Sequence, residues 1–279
     1  MTILVTGATG NVGRHVVAGL LGRGEPVRAL TRDPAAAGLP AEVEVFAGDL
    51  SADEVPAGLL NEVSQVFLFP APGGVKIFTE QASAAGVGHF VVLSSLAAAG
   101  EHERDHGSWS AVHHLEVEQA VAATGTTATI LRPGSFATNL LFWTYPIKAT
   151  GSVEGPYPTS AQAPVHEADV ADVAVAALCD PSLRGATYPI TGPEALTRVE
   201  QLAAIGRAIG RELAFREITP AAFAESMAQF MPGPAIRMLL DYWADTVTAP
   251  DQVRSVAAVT GATPRSLDQW AADHAADFS

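Results

Sequence analysis

The sequence predicts a doubly wound parallel α/β sheet with a smaller, mainly helical C-terminal substrate domain. Three observations carry that prediction. Short β-rich runs alternate with helical patterns through the first half, a glycine-rich loop joins the first run to the first helix, and the rhythm breaks after Pro133. The length of 279 residues lies near the size at which single cores begin to split.

Taken in order, residues 3–5, 27–30, 43–46, 66–69, 90–93 and 129–131 read as six strands. Between the first two, Val12, Val16, Leu20 and Leu21 recur at helical spacing, and the helix stops at Gly22 and Gly24. Residues 134–164 are irregular and rich in Gly, Pro and aromatics, after which a helix (167–178) and a strand (187–191) restore the alternation. From Thr197 onward "VEQLAAIGRAIGRE" and "SLDQWAADHAADF" are amphipathic helical segments. The expected division is therefore residues 1–133 with 165–192 for the sheet domain, and 134–164 with 193–279 for a second domain over the sheet's carboxyl edge.

Composition narrows the functional classes. A hydrophobic share of 48% against 16% charged residues suits a buried core, and a net charge of −14 disfavours nucleic acid and anionic membranes as partners. The single cysteine, Cys179, makes no intrachain disulfide and has no neighbours suited to a metal site, so no metal is expected. The start of the chain has no signal-peptide pattern and no apolar stretch reaches the ~18–20 residues of a membrane span. A cytoplasmic protein, monomer or homodimer, with a small-molecule partner is the expectation.

"TGATGNVGRH" follows the first strand and opens the first helix. That context points to a nucleotide fingerprint: Gly7 for a tight turn, Gly10 for backbone approach to a pyrophosphate, Gly13 for close helix packing, and helix N–H groups for the phosphates. The second strand ends "RALTRDP", with Thr31 and Arg32 where an acid for a ribose 2′-hydroxyl is expected. Arg32 suits a 2′-phosphate, favouring NADP(H) over NAD, with a solvated loop residue paired with Asp33 as the alternative. Asp49 and Leu50 of "AGDL" fall beside the adenine position, or Asp49 caps a following helix. Phe69, Pro70 and Ala71, at the end of the fourth strand, fall under the ribose and nicotinamide.

These segments, together with "VVLSSLAA", "HHLEVEQAVAATGTTATILRPGSFATN" and "TGATPRSLDQWAADHAADF", resemble the NmrA-like branch of the short-chain dehydrogenase/reductase superfamily. The resemblance implies a Rossmann domain holding NADP(H), and either NADPH-dependent reduction, often of quinones, or cofactor sensing without catalysis. It implies cofactor contacts at Gly7, Thr9, Gly10, Asn11, Val12, Gly13, Arg32, Phe69, Pro70, Ala71, Ser94, Pro133, Gly134 and Phe136.

Ordinary members of that superfamily use a Tyr and a Lys four residues later. Here neither Lys76 nor Lys148 follows a tyrosine at that spacing. The match puts Trp109 in the Tyr place and His113 in the Lys place, one helical turn apart. His113 is accordingly the expected catalytic residue, orienting the ribose or relaying a proton, with a surface role as the alternative. His114 and Glu118 form another such pair on an adjacent stripe. Without the phenol, an acceptor whose reduced oxygens take protons from solvent is favoured over a simple ketone. "PGSFATNLLFWTYP" supplies Phe136, Asn139, Phe142, Trp143 and Tyr145, which with Trp109 form either an aromatic substrate wall or a seam between domains. Met227, Phe230 and Met231 line that pocket or pack a helix.

The function expected is hydride transfer from NADPH to a quinone or other conjugated aromatic small molecule. The alternatives are an NADP(H)-sensing regulator and a tailoring enzyme acting on an aromatic natural product.

Overall fold

A computed structural model describes residues 2–52, 54–71, 73 and 75–279. The chain runs β1 (Thr2–Thr6), α1 (Asn11–Gly22), β2 (Val27–Thr31), β3 (Glu44–Ala47), β4 (Val63–Leu68), α2 (Val75–Ala84), β5 (His89–Leu93), α3 (Trp109–Ala123) and β6 (Thr127–Pro133). It continues with α4 (Thr144–Thr150), β7 (Ser152–Gly155), β8 (Ala161–Gln162), α5 (Glu167–Cys179), β9 (Thr187–Ile190), β10 (Leu196–Thr197) and α6 (Arg198–Ile209). The last elements are β11 (Ala214–Glu217), α7 (Pro220–Met227), α8 (Gly233–Thr248), α9 (Ala257–Thr260), α10 (Leu267–Asp273) and α11 (Ala275–Phe278).

Seven strands form one parallel sheet in the order β3-β2-β1-β4-β5-β6-β9. The order reverses direction beside β1, the arrangement that opens a crevice at the strands' carboxyl ends in doubly wound Rossmann-type folds. Alternation along the strands divides the core between the two faces. Ile3, Val5, Val91 and Leu93 pack with Val16, Leu20, Val170 and Val173 of α1 and α5. Leu4, Phe90 and Val92 pack with Phe78, Val117 and Val121 of α2 and α3. A third cluster, built on Trp270, Phe278, Leu202, Ile205 and Ile147, holds the C-terminal helices together.

Three features depart from the expected pattern. The third strand starts one residue later than its apolar run. No helix joins β3 to β4 among the described residues, so Asp49 caps a turn: its carboxylate accepts the N–H of Ser51 at 2.9 Å and the Ser51 hydroxyl at 2.7 Å. The C-terminal part is not helical throughout, because β11 pairs in parallel with β7, and β10 pairs antiparallel with β8. Strands of two to four residues that pair with segments 34 to 62 positions away leave no local periodicity to read.

The chain leaves and re-enters the sheet through a narrow waist. Val165 N–H donates to Ser135 O at 2.8 Å, Ala137 N–H to Val165 O at 2.9 Å, and Gly192 N–H to Ala163 O at 3.0 Å. At the end of the chain, Glu167 is buried at the start of α5 and accepts Trp270 Nε1–H at 3.1 Å and His274 Nε2–H at 2.8 Å. Arg265 adds ion pairs to Asp169 and Asp172.

Candidate functional site

The first half of the site is made of backbone. Gly7 takes φ +61°, and an added Cβ there would meet Phe69 at 2.9 Å. A Cβ on Gly13 would lie 2.0 Å from Gly7 O, so the first turn of α1 rests directly on the loop. Gly10 sits at the N-cap of α1 with no side chain capping the helix, and no acidic residue stands in the first turn. Amide donors and the positive end of the helix dipole are therefore left to whatever anion enters the loop. The residues fit a dinucleotide in that sense. Arg14 braces the loop through Nη2–H to Thr9 O at 2.8 Å.

Around this loop, Asn11 is exposed and Val12 is buried in the core. Arg32 and Asp33 are exposed beyond β2, and Asp33 accepts N–H groups of Ala35 and Ala36 rather than holding Arg32. The Ser51 hydrogen bonds, with a smaller contribution from the Arg32 charge, hold the Asp49 carboxyl below the usual range. Leu50 is packed in the core. Phe69 leaves β4 with 42% of its surface exposed, beside Pro70 and Ala71.

The second half is a cavity of about 370 Å³ at the carboxyl ends of β5, β6 and β9. Ser94, Ser95 and Leu96 form one side, Pro133 to Phe136 and Asn139 a second, and Thr191 a third. The segment from His102 to Ser108 and helix α3, through Ser110 and His114, close the near wall. Met238, Leu239 and Tyr242 of α8, with Asp251, Gln252 and Arg254 after it, close the far wall. Sequence reasoning missed α8. Its apolar stripe is plain in "PAIRMLLDYW", but nothing local tells that the stripe faces the sheet edge.

The helix stripe that faces this cavity is one residue on from the expected one. Trp109 and His113 stack at 5.3 Å with their planes 10° apart, on the outer side of α3, and Trp109 is 47% exposed. Neither lines the cavity; Ser110 and His114 do. The resemblance puts His113 in the Lys place; of the two neighbouring histidines, His114 is the one that lines this cavity. His114 Nδ1–H donates to Ser110 O at 2.8 Å, which leaves Nε2 as the ring's free acceptor. Burial pushes its pKa below the ordinary histidine value, so the ring is neutral near pH 7. Glu118 does not pair with His114. It accepts the Ser94 hydroxyl at 2.5 Å and both Nε–H and Nη2–H of Arg132, at 2.9 and 2.7 Å.

The aromatic segment divides. Phe136 and Asn139 line the cavity; Phe142 and Tyr145 point to solvent at 66% and 81% exposure. Trp143 packs in the C-terminal core against Phe215 and the buried Arg198 guanidinium. The three belong to the turn and helix after β6, whose inward positions are taken by Ala137, Leu140 and Ile147. Met227, Phe230 and Met231 are likewise absent from the cavity wall.

The fold and site together define a Rossmann-type α/β protein with a glycine-loop groove and a second cavity at the same sheet edge. The chain belongs to the NmrA-like family, whose model matches residues 1–263. It is 37% identical over 283 residues to the (4-alkanoyl-5-oxo-2,5-dihydrofuran-3-yl)methyl phosphate reductase of Streptomyces griseus, with 99% of each chain covered. It is 33% identical over 288 residues to the NAD(P)H azoreductase of Xenophilus azovorans, again with 99% of each covered. In fold it is similar to the NADPH-dependent quinone oxidoreductase QOR2 of Escherichia coli complexed with NADPH. That likeness has a TM-score of 0.81 at 24% identity and covers 97% of this chain and 99% of the other.

Proposed function

We propose that the protein is an NADPH-dependent oxidoreductase that reduces a quinone or other conjugated small molecule in the cavity beside β5 and β6. One observation carries the choice of acceptor. The cavity wall has no lysine among the described residues, and its tyrosine, Tyr242, is half-buried and donates to Asp251, where desolvation and the Asp251 charge push its pKa well above the ordinary phenol value. A phenol so placed is a poor proton donor. An acceptor whose reduced oxygens take protons from water needs none, whereas a ketone does. The reductase names of the relatives support the same class of reaction.

The glycine loop from Gly7 to Gly13, Arg32 toward a 2′-phosphate, Phe69 to Ala71, Ser94 and the Pro133–Phe136 turn would hold the cofactor, and bound NADPH supplies the hydride. His114 leaves Nε2 as an acceptor at the cavity wall, where it would orient a hydroxyl of the bound molecule. The Ser94–Glu118–Arg132 chain fixes the end of β5 against α3 and β6. Phe136, Leu96 and Met238 exclude water on the apolar side.

Anaerobic mixing of the protein and NADPH with a panel of quinones tests this reading. Saturable, protein-dependent loss of reduced-nicotinamide absorbance is expected. No loss, in a preparation that binds NADPH, overturns the reductase reading in favour of a sensor.

A further inference from the structure

The arginines of this chain differ in how many of their donors are engaged. Arg28 uses Nε, Nη1 and Nη2 on Glu44 and the carbonyls of Gly58, Leu59 and Asn61. Arg132 holds Glu118 with two parallel bonds. The two arginines of the cavity are different. Among the described residues, Arg104 engages one side-chain nitrogen, Nη1, with Asp245 at 3.1 Å, and Arg254 engages Nη2 with Glu101. A guanidinium carries five N–H donors in a planar fork that matches an oxyanion. Most of each fork is unassigned in a cavity that both residues line.

Arg104 comes from the turn after β5, its guanidinium over the Tyr242 ring at 5.2 Å, and Arg254 from the segment after α8. Their carboxylate partners are 50% and 43% exposed, so water and other anions compete for the pairs. The remaining acids of the cavity are already committed. Asp105 accepts the His102 N–H at 3.3 Å, and Asp251 accepts the Tyr242 hydroxyl and the Ala163 N–H. In a chain of net charge −14, these two guanidinium groups are the cavity's cationic groups, set in a wall that also carries Glu101, Asp105 and Asp251.

We propose that Arg104 and Arg254 recognise an acidic group of the acceptor. The substrate is a conjugated molecule bearing a carboxylate, sulfonate or phosphate that takes the place of Asp245 and Glu101 on the two forks, while its unsaturated part lies against Phe136 and Met238. This names the substrate class of the reductase site and rests on that reading.

The test uses a naphthoquinone with a carboxyalkyl side chain and its methyl ester, which share one ring and one intrinsic reactivity. Each is measured for kcat/KM with NADPH, and for Kd by calorimetry with the NADP⁺-loaded protein. The acid is expected to be favoured about tenfold, in KM and Kd rather than kcat. In Arg104→Gln and in Arg254→Gln the acid-to-ester ratio should fall toward one, and in Asp245→Asn, where the competing carboxylate is gone, it should rise. The rise guards against a ratio lost merely to misfolding. An acid-to-ester ratio near one in the unaltered protein, or a ratio that none of the variants moves, overturns the proposal. Absence of turnover with both compounds counts against the reductase reading instead, and the Kd ratio then decides the acid site alone.

Discussion

The glycine-loop groove and the cavity lie on the same edge of the same sheet and are built from opposite materials. The groove's loop is backbone, drawn from the seven consecutive residues Gly7 to Gly13, and its shape is set by where side chains are missing. The cavity is side chains, drawn from five stretches between Ser94 and Arg254. A site made of backbone tolerates almost no change at its glycines and can be read from a contiguous motif. A site made of scattered side chains can be altered residue by residue, and its chemistry is correspondingly particular to this chain.

Substitutions should expose that contrast. The largest effect is expected from Gly13→Ala, because its Cβ would fall 2.0 Å from Gly7 O. Titration with NADPH should show a loss on the order of 100-fold or more, or a fold visibly lowered in Tm. Arg32→Ala should weaken NADPH about tenfold more than NADH; equal losses would remove the 2′-phosphate role. In the cavity, His114→Ala should lower kcat/KM about tenfold, while His113→Ala, on the outer stripe, should change it less than about twofold. The reverse order would return the site to the Trp109–His113 face. Tyr145→Ser should be the mildest, within about 0.5 kcal/mol in stability and near-silent in turnover, since the side chain is 81% exposed.

Protons separate, in function and in fold, two of the histidines whose pKa burial lowers. His89, at the amino end of β5, is fully buried between Gln65 and Thr129 and titrates at about 4. As pH falls from 6.5 toward 4, the unfolded chain binds this proton and the folded chain does not, so stability is lost across that window. His89→Gln should flatten the acid arm of a denaturation series. His114 is also lowered, and protonation of its Nε2 below its ordinary range should reduce turnover without the same loss of fold. A pH series of turnover beside one of denaturation checks both.

Much of the sheet was legible because its strands alternate between two cores and the glycine loop marks the first crossover. What the sequence hid has physical reasons. An i, i+4 spacing says which residues share a stripe of α3, not which stripe faces inward, and one residue's error rotates the face by about 100°. Here Trp109 and Val112 are exposed while Val117 and Val121 are buried, so apolarity does not single out the inner side. The aromatic run after Gly134 reads as either a substrate wall or a domain seam, and a short turn and helix scatter its members between cavity, core and solvent. The arginines of the cavity left no sequence signal, since Arg104 and Arg254 are 150 positions apart and share a cavity only in the folded chain.

The waist at Ser135, Val165 and Gly192 has a consequence for how such proteins diversify. The excursion that carries Phe136 and Asn139 begins and ends at backbone atoms within one hydrogen bond of each other. Its interior can lengthen, shorten or be rewritten while the anchoring ends keep their places on β6 and α5. The segment is in effect a replaceable cassette, and grafting it between homologues is a natural route to new acceptor preferences on an unchanged cofactor scaffold.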